Sequence, residues 1–459
     1  MALALAGCEP VPAVVTEVGP VDAGPTDRSP TDLPDSGSAD LAPAGSAARG
    51  LYAEVNAYLA AEDPGPHPAI LDRLDTVYRD VPFATVLDAV TRRPPRAPLP
   101  TGVSQHSWVN PLYEGTETYQ LYVPATLAAS PAPALPLLIF LHGAGGSGAG
   151  IVGSQPVREA ADRLGVLLVA PTSNPSCDWS ALEDCMSQVV LLVQHLKRRF
   201  PVDDARVVLS GFSMGGRGAF SVGVAYPEPY CGVVPVAGSI GAVHNTSDLA
   251  VHKAYCCPHV ENLTNLRLHY ISGDQDMQLM LYQNRGCELC LEEQGSEYVY
   301  TELAGQGHVW PLDLWEKAVA WTLARPRVPY PARVVYNIAR QASAIVPEDI
   351  FLQQTLRTPQ YWADIETRRD PELPARIEAR RAGNLITLDS TNVARFSLFL
   401  APGMVDLREE VRVLHEREGT LFEGMVSPDR RLLLTEARRR AERSMVFANR
   451  LILAIPGTL

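Results

Sequence analysis

The chain has 459 residues, of which 46% are hydrophobic and 20% charged, and its net charge at neutral pH is −13. A chain of this length is typical of two or three domains with ample apolar material for a core. The acidic balance, without a stripe of Lys and Arg, argues against a nucleic-acid partner. No apolar run reaches the roughly 18 residues that a membrane span needs.

Residues 1–8 end in Leu5-Ala6-Gly7-Cys8, which resembles the lipobox of bacterial lipoproteins, where a cysteine is acylated. The basic region and most of the apolar stretch of a signal peptide do not precede it, so either the true start lies upstream of Met1 or the match is chance. We predict lipidation at Cys8. The protein would then be exported, as a bacterial cell-envelope lipoprotein or an extracellular protein, with a lipid anchor as its only membrane contact.

The next two segments differ in composition. Residues 9–50 contain seven prolines and no aromatic residue, which predicts a disordered linker because such a segment cannot bury a core. Residues 51–98 carry helical periodicity and predict a small helical segment packed on the domain that comes after it in the chain.

Residues 99–326 alternate short apolar strands, such as "LPLLIFL" and "VLLVAPT", with amphipathic helices. This alternation predicts an α/β domain with a mostly parallel sheet covered by helices on both faces. It stops near Pro326. Residues 327–459 then alternate apolar and polar side chains, which predicts a C-terminal β-rich domain with one late helix.

The cysteines beyond Cys8 are concentrated in one part of the chain. They are Cys177, Cys185, Cys231, Cys256, Cys257, Cys287 and Cys290. In a chain predicted to be exported this density predicts disulfides, and Cys177 with Cys185 is the simplest pair. The last four could instead be zinc ligands, but vicinal cysteines suit tetrahedral zinc poorly. We therefore expect disulfides, no metal and no cofactor, with one thiol free or buried because seven is odd.

The stretch "GFSMGG" at 211–216 lies between an apolar run at 206–209 and an apparent helix start. Gly-x-Ser-x-Gly between a strand and a helix is the pattern of a nucleophile elbow, in which small residues let the two backbones approach closely. The alternative is a tight turn whose serine only caps the helix. We predict that Ser213 is a nucleophile.

A serine nucleophile needs a base and an acid. His308, in "AGQGHVWP", lies in a glycine-rich loop after the last strand of the α/β domain and is predicted to be the base. His142 is expected to shape a loop, and His195 to be exposed on a helix. Both Asp274 and Asp276 follow the strand that precedes His308, and either could orient the imidazole. The chain order of serine, aspartate and histidine agrees with the α/β-hydrolase arrangement.

The loop "FLHGAGGSGAG" after the first core strand can present backbone N–H groups. We predict an oxyanion hole formed by the amide of Met214 and that of Ala144 or Gly145. A phosphate-binding loop is the alternative, but the Gly-Lys-Ser/Thr ending and the dinucleotide spacing are missing. Trp179 and Trp310 are candidates for a substrate pocket, although tryptophans more often serve ordinary packing.

The motifs "LHGAGGSG", "GFSMGG", "SGDQD" and "GHVWP" resemble those of secreted α/β-hydrolase esterases, which include polyhydroxybutyrate depolymerases and feruloyl esterases. The resemblance covers about residues 105–325 and implies the α/β-hydrolase fold. By the family's Gly-x-x-Asp spacing it implies that Asp276 is the acid, and by its Gly-His-x-Trp-Pro motif that His308 is the base. The C-terminal stretch is similar to a β domain appended to some bacterial hydrolases, with no catalytic role implied. The cysteine-rich insertion at 253–293 and the N-terminal helices depart from the family pattern and leave the substrate open.

The sequence therefore predicts a serine carboxylic-ester hydrolase that forms an acyl-enzyme on Ser213 and acts on a small-molecule or polymer-linked ester. A peptidase of the prolyl-oligopeptidase type is one alternative, but no repeat of blade length precedes residue 105. A non-catalytic module that binds envelope glycans is another, and it would be expected to lack a member of the triad.

Overall fold

The computed structural model describes residues 14–17, 46–62, 68–95, 98–111, 115–127, 134–173, 179, 183–240, 246–338, 340–341, 350–351 and 359–456. The helices in these ranges are α1 (Ser46–Ala60), α2 (Pro68–Asp75), α3 (Phe83–Thr91), α4 (Gly148–Gly153), α5 (Gln155–Leu164), α6 (Glu183–Arg199), α7 (Met214–Ala225), α8 (Leu249–Val260), α9 (Gln278–Gln294), α10 (Leu312–Leu323) and α11 (Arg430–Arg440). The strands up to the end of the α/β domain are β1 (Val14–Glu17), β2 (Gly102–Val109), β3 (Thr116–Val123), β4 (Leu135–Leu141), β5 (Leu167–Pro171), β6 (Val202–Phe212), β7 (Gly232–Val236), β8 (Arg267–Gly273) and β9 (Tyr298–Leu303). The later strands are β10 (Arg333–Ile338), β11 (Arg340–Gln341), β12 (Ile350–Phe351), β13 (Ala363–Arg368), β14 (Ala375–Ala382), β15 (Leu385–Thr391), β16 (Val393–Leu400), β17 (Val411–His415), β18 (Gly419–Gly424) and β19 (Asn449–Ala454).

The α/β domain is built on a nine-stranded sheet in the order β1-β9-β8-β7-β6-β4-β5-β3-β2. The six strands from β4 to β9 pair parallel, and β1, β2 and β3 pair antiparallel at the two edges. The predicted mostly parallel sheet is confirmed. Because β4, β6, β7 and β8 are parallel neighbours, their carboxyl ends meet at one edge of the sheet, where ligands bind in folds of this type.

Strand β4 illustrates why the parallel strands are continuously apolar. Leu137 and Ile139 belong to the hydrophobic cluster on one face of the sheet, and Leu138 and Phe140 to the cluster on the other. Successive side chains of a strand point to opposite faces, so a strand covered on both faces must be apolar at every position.

The prediction that residues 9–50 are disordered is wrong in two places. Within residues 9–50, which were expected to be disordered, Val14–Glu17 forms β1 and pairs antiparallel with β9. Helix α1 also begins at Ser46 rather than at residue 51. The composition of the whole segment concealed a short run of three β-branched residues, Val14-Val15-Thr16, which favours a strand at the edge of β9. Residues 18–45 and Cys8 lie outside the described residues.

The N-terminal helices pack against the late helix of the C-terminal region. Helices α1, α2 and α3 share a hydrophobic cluster with Leu433 and Leu434 of α11. The Arg438 guanidinium on the same helix donates a hydrogen bond to the Tyr58 carbonyl oxygen, at 2.6 Å. The helical segment was expected to pack on the domain that comes directly after it. Glu62 and Arg93 do pair with His195 and Asp204 of that domain, but the apolar face of the segment is completed by α11, whose Arg438 lies 380 residues after Tyr58.

From β10 onward the chain forms a five-stranded sheet, β10-β14-β15-β17-β18, and a three-stranded sheet, β13-β16-β19. The two sheets share a core that includes Trp362 and Phe396. On β14, Glu378 accepts hydrogen bonds from Arg333 at 2.8 Å and Arg376 at 2.7 Å. Burial raises the pKa of Glu378, but these two arginines outweigh it and bring the pKa down to about 2.

A buried cluster of charges joins the α/β domain to the C-terminal region. The Glu442 carboxylate lies 3.1 Å from the Lys197 ammonium and 2.8 Å from the Arg327 guanidinium, and all three side chains are buried. Burial raises the pKa of Glu442, but the two cations more than offset this and hold it well below its usual range. Asp204 also lies beside Lys197 and forms an ion pair with Arg93, so the N-terminal segment is tied to the same cluster.

Two disulfides, Cys256–Cys287 and Cys257–Cys290, connect α8 to α9. All four candidate zinc ligands are therefore engaged in S–S bonds, which favours the disulfide interpretation over the zinc site. Cys185 is also disulfide-bonded, whereas Cys177, its predicted partner, lies outside the described residues. Cys231 is the free thiol among the described cysteines, and it is buried. In the part of the chain that the structure describes, no helix combines the length and hydropathy that crossing a bilayer requires.

Candidate active site

Ser213 occupies a strained turn between the end of β6 and the start of α7. Its φ of 59° and ψ of −118° lie in a region that residues other than glycine rarely adopt. The turn is held on both sides, since the Ser213 amide donates to the Val236 carbonyl and the Arg217 amide donates to the Ser213 carbonyl, each at 2.9 Å. Backbone strain fixed by such contacts is common at functional sites.

The glycines around Ser213 are required by close backbone approach. A Cβ atom on Gly211 would overlap the Gly215 carbonyl oxygen, and one on Gly215 would overlap the carbonyl oxygen of Leu141 at the end of β4. Any other residue would therefore push β4, β6 and α7 apart. This contact explains the Gly-x-Ser-x-Gly spacing in the sequence.

The structure brings Ser213, His308 and Asp276 together in one hydrogen-bonded chain. His308 Nε2 lies 2.7 Å from Ser213 Oγ. Its Nδ1 lies 2.9 and 3.0 Å from the two carboxylate oxygens of Asp276. An ionised carboxylate only accepts hydrogen bonds, so Nδ1 carries the proton and Nε2 is left to accept one from the serine hydroxyl.

The two aspartates after β8 make different contacts. Asp276 bonds to His308, and its Oδ1 also accepts from the Met277 amide at 2.7 Å. Its side chain is 1% exposed, so water does not compete for the carboxylate. Asp274 Oδ1 instead accepts from the Gly305 amide at 2.8 Å. Asp274 thus anchors the loop that carries His308, while Asp276 contacts the imidazole itself.

His142 lies under the loop that follows β4. Its Nδ1 donates to the Gly143 carbonyl oxygen at 2.8 Å, and its Nε2 accepts from the Ser173 amide at 3.1 Å. Burial lowers the pKa of the His142 imidazole. A neutral ring is thus bonded through both nitrogens, which agrees with the predicted role of shaping the loop.

The prediction that His195 is exposed is wrong. The ring is buried, with Nε2 3.2 Å from the Tyr119 hydroxyl and Nδ1 3.2 Å from the Glu62 carboxylate. The basic neighbours in the sequence suggested a solvated face of α6, but Lys197 is buried as well, in the charge cluster with Glu442. Side-chain type alone did not reveal which face of this helix is covered by β2 and β3.

The predicted oxyanion donors lie around Ser213. Met214 is the first residue of α7, and the amides of a first helical turn have no acceptor within the helix. Ala144 and Gly145 lie in a tight turn closed by a 3.0 Å hydrogen bond from the Gly146 amide to the Gly143 carbonyl. A Cβ atom on Gly143 would lie 3.3 Å from Ser213 Cβ, so this turn passes directly beside the serine.

A cavity of about 580 Å³ opens beside Ser213 and His308. The described residues that line it are Ser213, Met214, Arg217, Ala237, Gly238, Ser239, Met277, Gln278, Leu279, Met280 and His308. Its walls come from the start of α7, the segment after β7 and the start of α9. No sequence motif marks the last two walls, although Met277 directly follows Asp276 and so had to lie at the same edge of the sheet.

Neither predicted tryptophan is among the described residues that line this cavity. Trp179 is buried and donates a hydrogen bond to the His142 carbonyl oxygen, at 3.1 Å, below the predicted oxyanion loop. Trp310 stacks on Phe140, with ring centroids 4.5 Å apart. Both rings therefore pack against the elements that carry the site, which is the more ordinary use of a tryptophan.

A mostly parallel sheet, a strained serine between a strand and a helix, and a histidine after the last strand are the arrangement of the α/β hydrolases. No protein-family model matches the chain, and no curated protein matches its sequence. Solved structures with some similarity include a thermostable esterase, at 21% identity and a TM-score of 0.40, over 49% of this chain and 63% of that one. The S-formylglutathione hydrolase from Agrobacterium tumefaciens is 18% identical, with a TM-score of 0.40, over 49% of this chain and 95% of that one. A ferulic acid esterase is 15% identical, with a TM-score of 0.41, over 48% of this chain and 97% of that one.

Proposed function

We propose that the protein is a serine carboxylic-ester hydrolase with Ser213, His308 and Asp276 as its catalytic triad. The observation that carries this proposal is the chain of hydrogen bonds from Ser213 Oγ through His308, at 2.7 Å, to Asp276, at 2.9 Å. The strained turn at Ser213 supports it, because a turn that only caps a helix gains nothing from such a conformation.

In the proposed reaction, His308 Nε2 takes the proton of Ser213 while Oγ attacks the ester carbonyl carbon. The amides of Met214 and of Ala144 or Gly145 stabilise the negative oxygen of the tetrahedral intermediate. Collapse of the intermediate expels the alcohol, which takes the proton from the imidazolium, and leaves an acyl group on Ser213. Water then attacks the acyl-enzyme by the same route and releases the acid.

Asp276 holds the His308 ring in the tautomer that can accept from serine, and its charge stabilises the imidazolium that forms. These steps need no metal and no cofactor. The resemblance of the motifs to polyhydroxybutyrate depolymerases and feruloyl esterases makes polymer-linked esters candidates beside small-molecule esters.

The two alternative functions, a peptidase and a non-catalytic glycan-binding module, would be expected to show other structural features. A peptidase would use the same triad on an amide bond, but the described residues before β2 form one strand and three helices, without the blades of a propeller. A non-catalytic glycan-binding module would have no use for a strained serine bonded to a histidine. We therefore propose the esterase.

We further propose that the enzyme acts at the cell envelope or outside the cell, tethered through a lipid at Cys8. The disulfides between α8 and α9 are compatible with an oxidising compartment. Cell fractionation should find the chain with membranes, and Cys8→Ala should release it, because the acyl chains provide the anchor. Equal partition of both forms would refute the anchor and leave the esterase proposal intact.

Hydrolysis of p-nitrophenyl butyrate tests the proposed function. Ser213→Ala should reduce kcat by about 10⁴-fold or more with little change in melting temperature. Ser154→Ala is the matched control, since Ser154 lies between α4 and α5 and its side chain caps neither helix with a hydrogen bond. Equal rates for the two variants would refute the role of Ser213.

A further inference from the structure

We propose that the acyl group of the substrate is a flexible aliphatic chain, bound along the methionine-rich wall of the cavity beside Ser213. This inference rests on the proposed ester hydrolysis and goes further by naming the class of acyl group. It is carried by the composition, depth and position of the cavity.

The apolar wall consists of Met214, Met277, Leu279, Met280 and Ala237. Met277 is 65% exposed and lies at the rim, whereas Met280 is 5% exposed and lies at the buried end. The wall thus extends from solvent into the interior. Methionine is unbranched and has three rotatable bonds, so such a wall adapts to a chain that can itself bend.

The position of the cavity assigns it to the acyl side of the ester. The predicted oxyanion loop follows β4, and the cavity lies over the ends of β7 and β8, on the other side of β6 and Ser213. The carbonyl oxygen must point to the oxyanion loop. The leaving oxygen must lie beside His308, which lines the cavity where it opens to solvent and has a side chain 39% exposed, so the alcohol departs toward solvent. The remaining substituent, the acyl chain, faces the cavity.

The size of the cavity favours a chain over a compact acyl group. Its volume of about 580 Å³ is within the usual range for a small-molecule site of roughly 300–1,000 Å³. An acetyl group would leave most of the apolar wall in contact with water. Each further methylene buried against the wall should increase kcat/KM about fourfold until the chain reaches the buried end.

The other residues of the lining favour an aliphatic chain over an aromatic or a charged acyl group. No Phe, Tyr or Trp is among the described lining residues, so a cinnamoyl ring would lack such a side chain to stack on there. The Ser239 hydroxyl is engaged with Gln283, at 2.9 Å. Arg217 also lines the cavity, and an acyl chain ending in a carboxylate would pair with it. Such a chain is therefore the main competitor in the test.

A series of p-nitrophenyl esters tests the inference, because the leaving group and its chemistry stay constant while the acyl chain grows. We expect kcat/KM to rise from acetate through butyrate to hexanoate and octanoate. Met280→Trp, which fills the buried end, should lower the ratio of kcat/KM for octanoate to that for acetate about tenfold or more. Met280→Ala, which deepens the cavity, should move the preferred chain to a longer acyl group.

Met404→Trp is the matched control, since Met404 is 3% exposed and lies in the core of the C-terminal domain. Its ratio of octanoate to acetate hydrolysis should equal that of the wild type even if its stability falls. A flat dependence on chain length would overturn the inference, as would faster hydrolysis of feruloyl esters or of monoesters of dicarboxylic acids. Absence of hydrolysis for every ester would instead count against the proposed function itself.

Discussion

Asp276→Asn is expected to lower kcat for ester hydrolysis by about 10⁴-fold, or about 5 kcal/mol of activation free energy, without unfolding the chain. In the structure both carboxylate oxygens face His308 Nδ1, at 2.9 and 3.0 Å. An asparagine amide would present an N–H to that nitrogen and favour the tautomer with the proton on Nε2. That nitrogen could then no longer accept from Ser213, and the buried position of the Asp276 side chain leaves no room for water to compensate.

Asp274→Asn is the matched control for Asp276→Asn, because the two aspartates are separated by one residue and follow the same strand. The Asp274 carboxylate accepts from the Gly305 amide, at 2.8 Å, and an asparagine oxygen can replace it, so the loss should stay below about tenfold. Steady-state kcat with one p-nitrophenyl ester, together with melting temperatures of both variants, measures the difference. A larger loss for Asp274→Asn would refute the assignment of the acid.

Three further predictions concern the elbow and the stability of the fold. Gly215→Ala should abolish hydrolysis and reduce the yield of folded protein, because its methyl group would overlap a carbonyl oxygen at the end of β4. Gly153→Ala, whose methyl group meets no atom within 4 Å, should behave as the wild type. The pKa of Glu378 is about 2 in the folded chain, whereas that of an unfolded glutamate is about 4.3. Above a pH of about 4.3, ionised Glu378 therefore contributes at most about 3 kcal/mol to the free energy of unfolding. Its contribution is lost as the pH falls from about 4.3 toward 2, and urea titrations of Glu378→Gln should lack this part of the acid destabilisation. Glu442→Gln should reduce the free energy of unfolding by about 3 kcal/mol or more, because it leaves two buried cations without their carboxylate, and an unchanged urea midpoint would contradict this.

The parallel sheet and the elbow could be predicted because their signals are local. A strand buried on both faces must be apolar throughout, and the approach of β4 to α7 leaves no room for a side chain at Gly215. The juxtaposition of Ser213, His308 and Asp276 follows from the order of the parallel strands once the motifs are placed on their carboxyl ends. The choice of Asp276 over Asp274 came from the family spacing, and the contacts in the structure provide a physical reason for it.

The remaining features depend on contacts between distant parts of the chain, which local patterns do not encode. His195 is buried because β2 and β3 cover its face of α6, and its own neighbours in the sequence pointed the other way. The hydrophobic cluster of the N-terminal helices is completed by Leu433 and Leu434 of α11. Composition averaged over residues 9–50 hid the short strand β1, and two walls of the cavity, after β7 and at the start of α9, come from segments that carry no motif.

The most direct test of a nucleophilic Ser213 is the site at which a fluorophosphonate reacts, located by peptide mass spectrometry after treatment of the full chain. We predict one adduct per chain, on Ser213, absent from Ser213→Ala and formed far more slowly in His308→Ala, because the hydroxyl is unreactive without its base. An adduct on another residue, or undiminished labelling of Ser213→Ala, would contradict the assignment of Ser213 as the nucleophile.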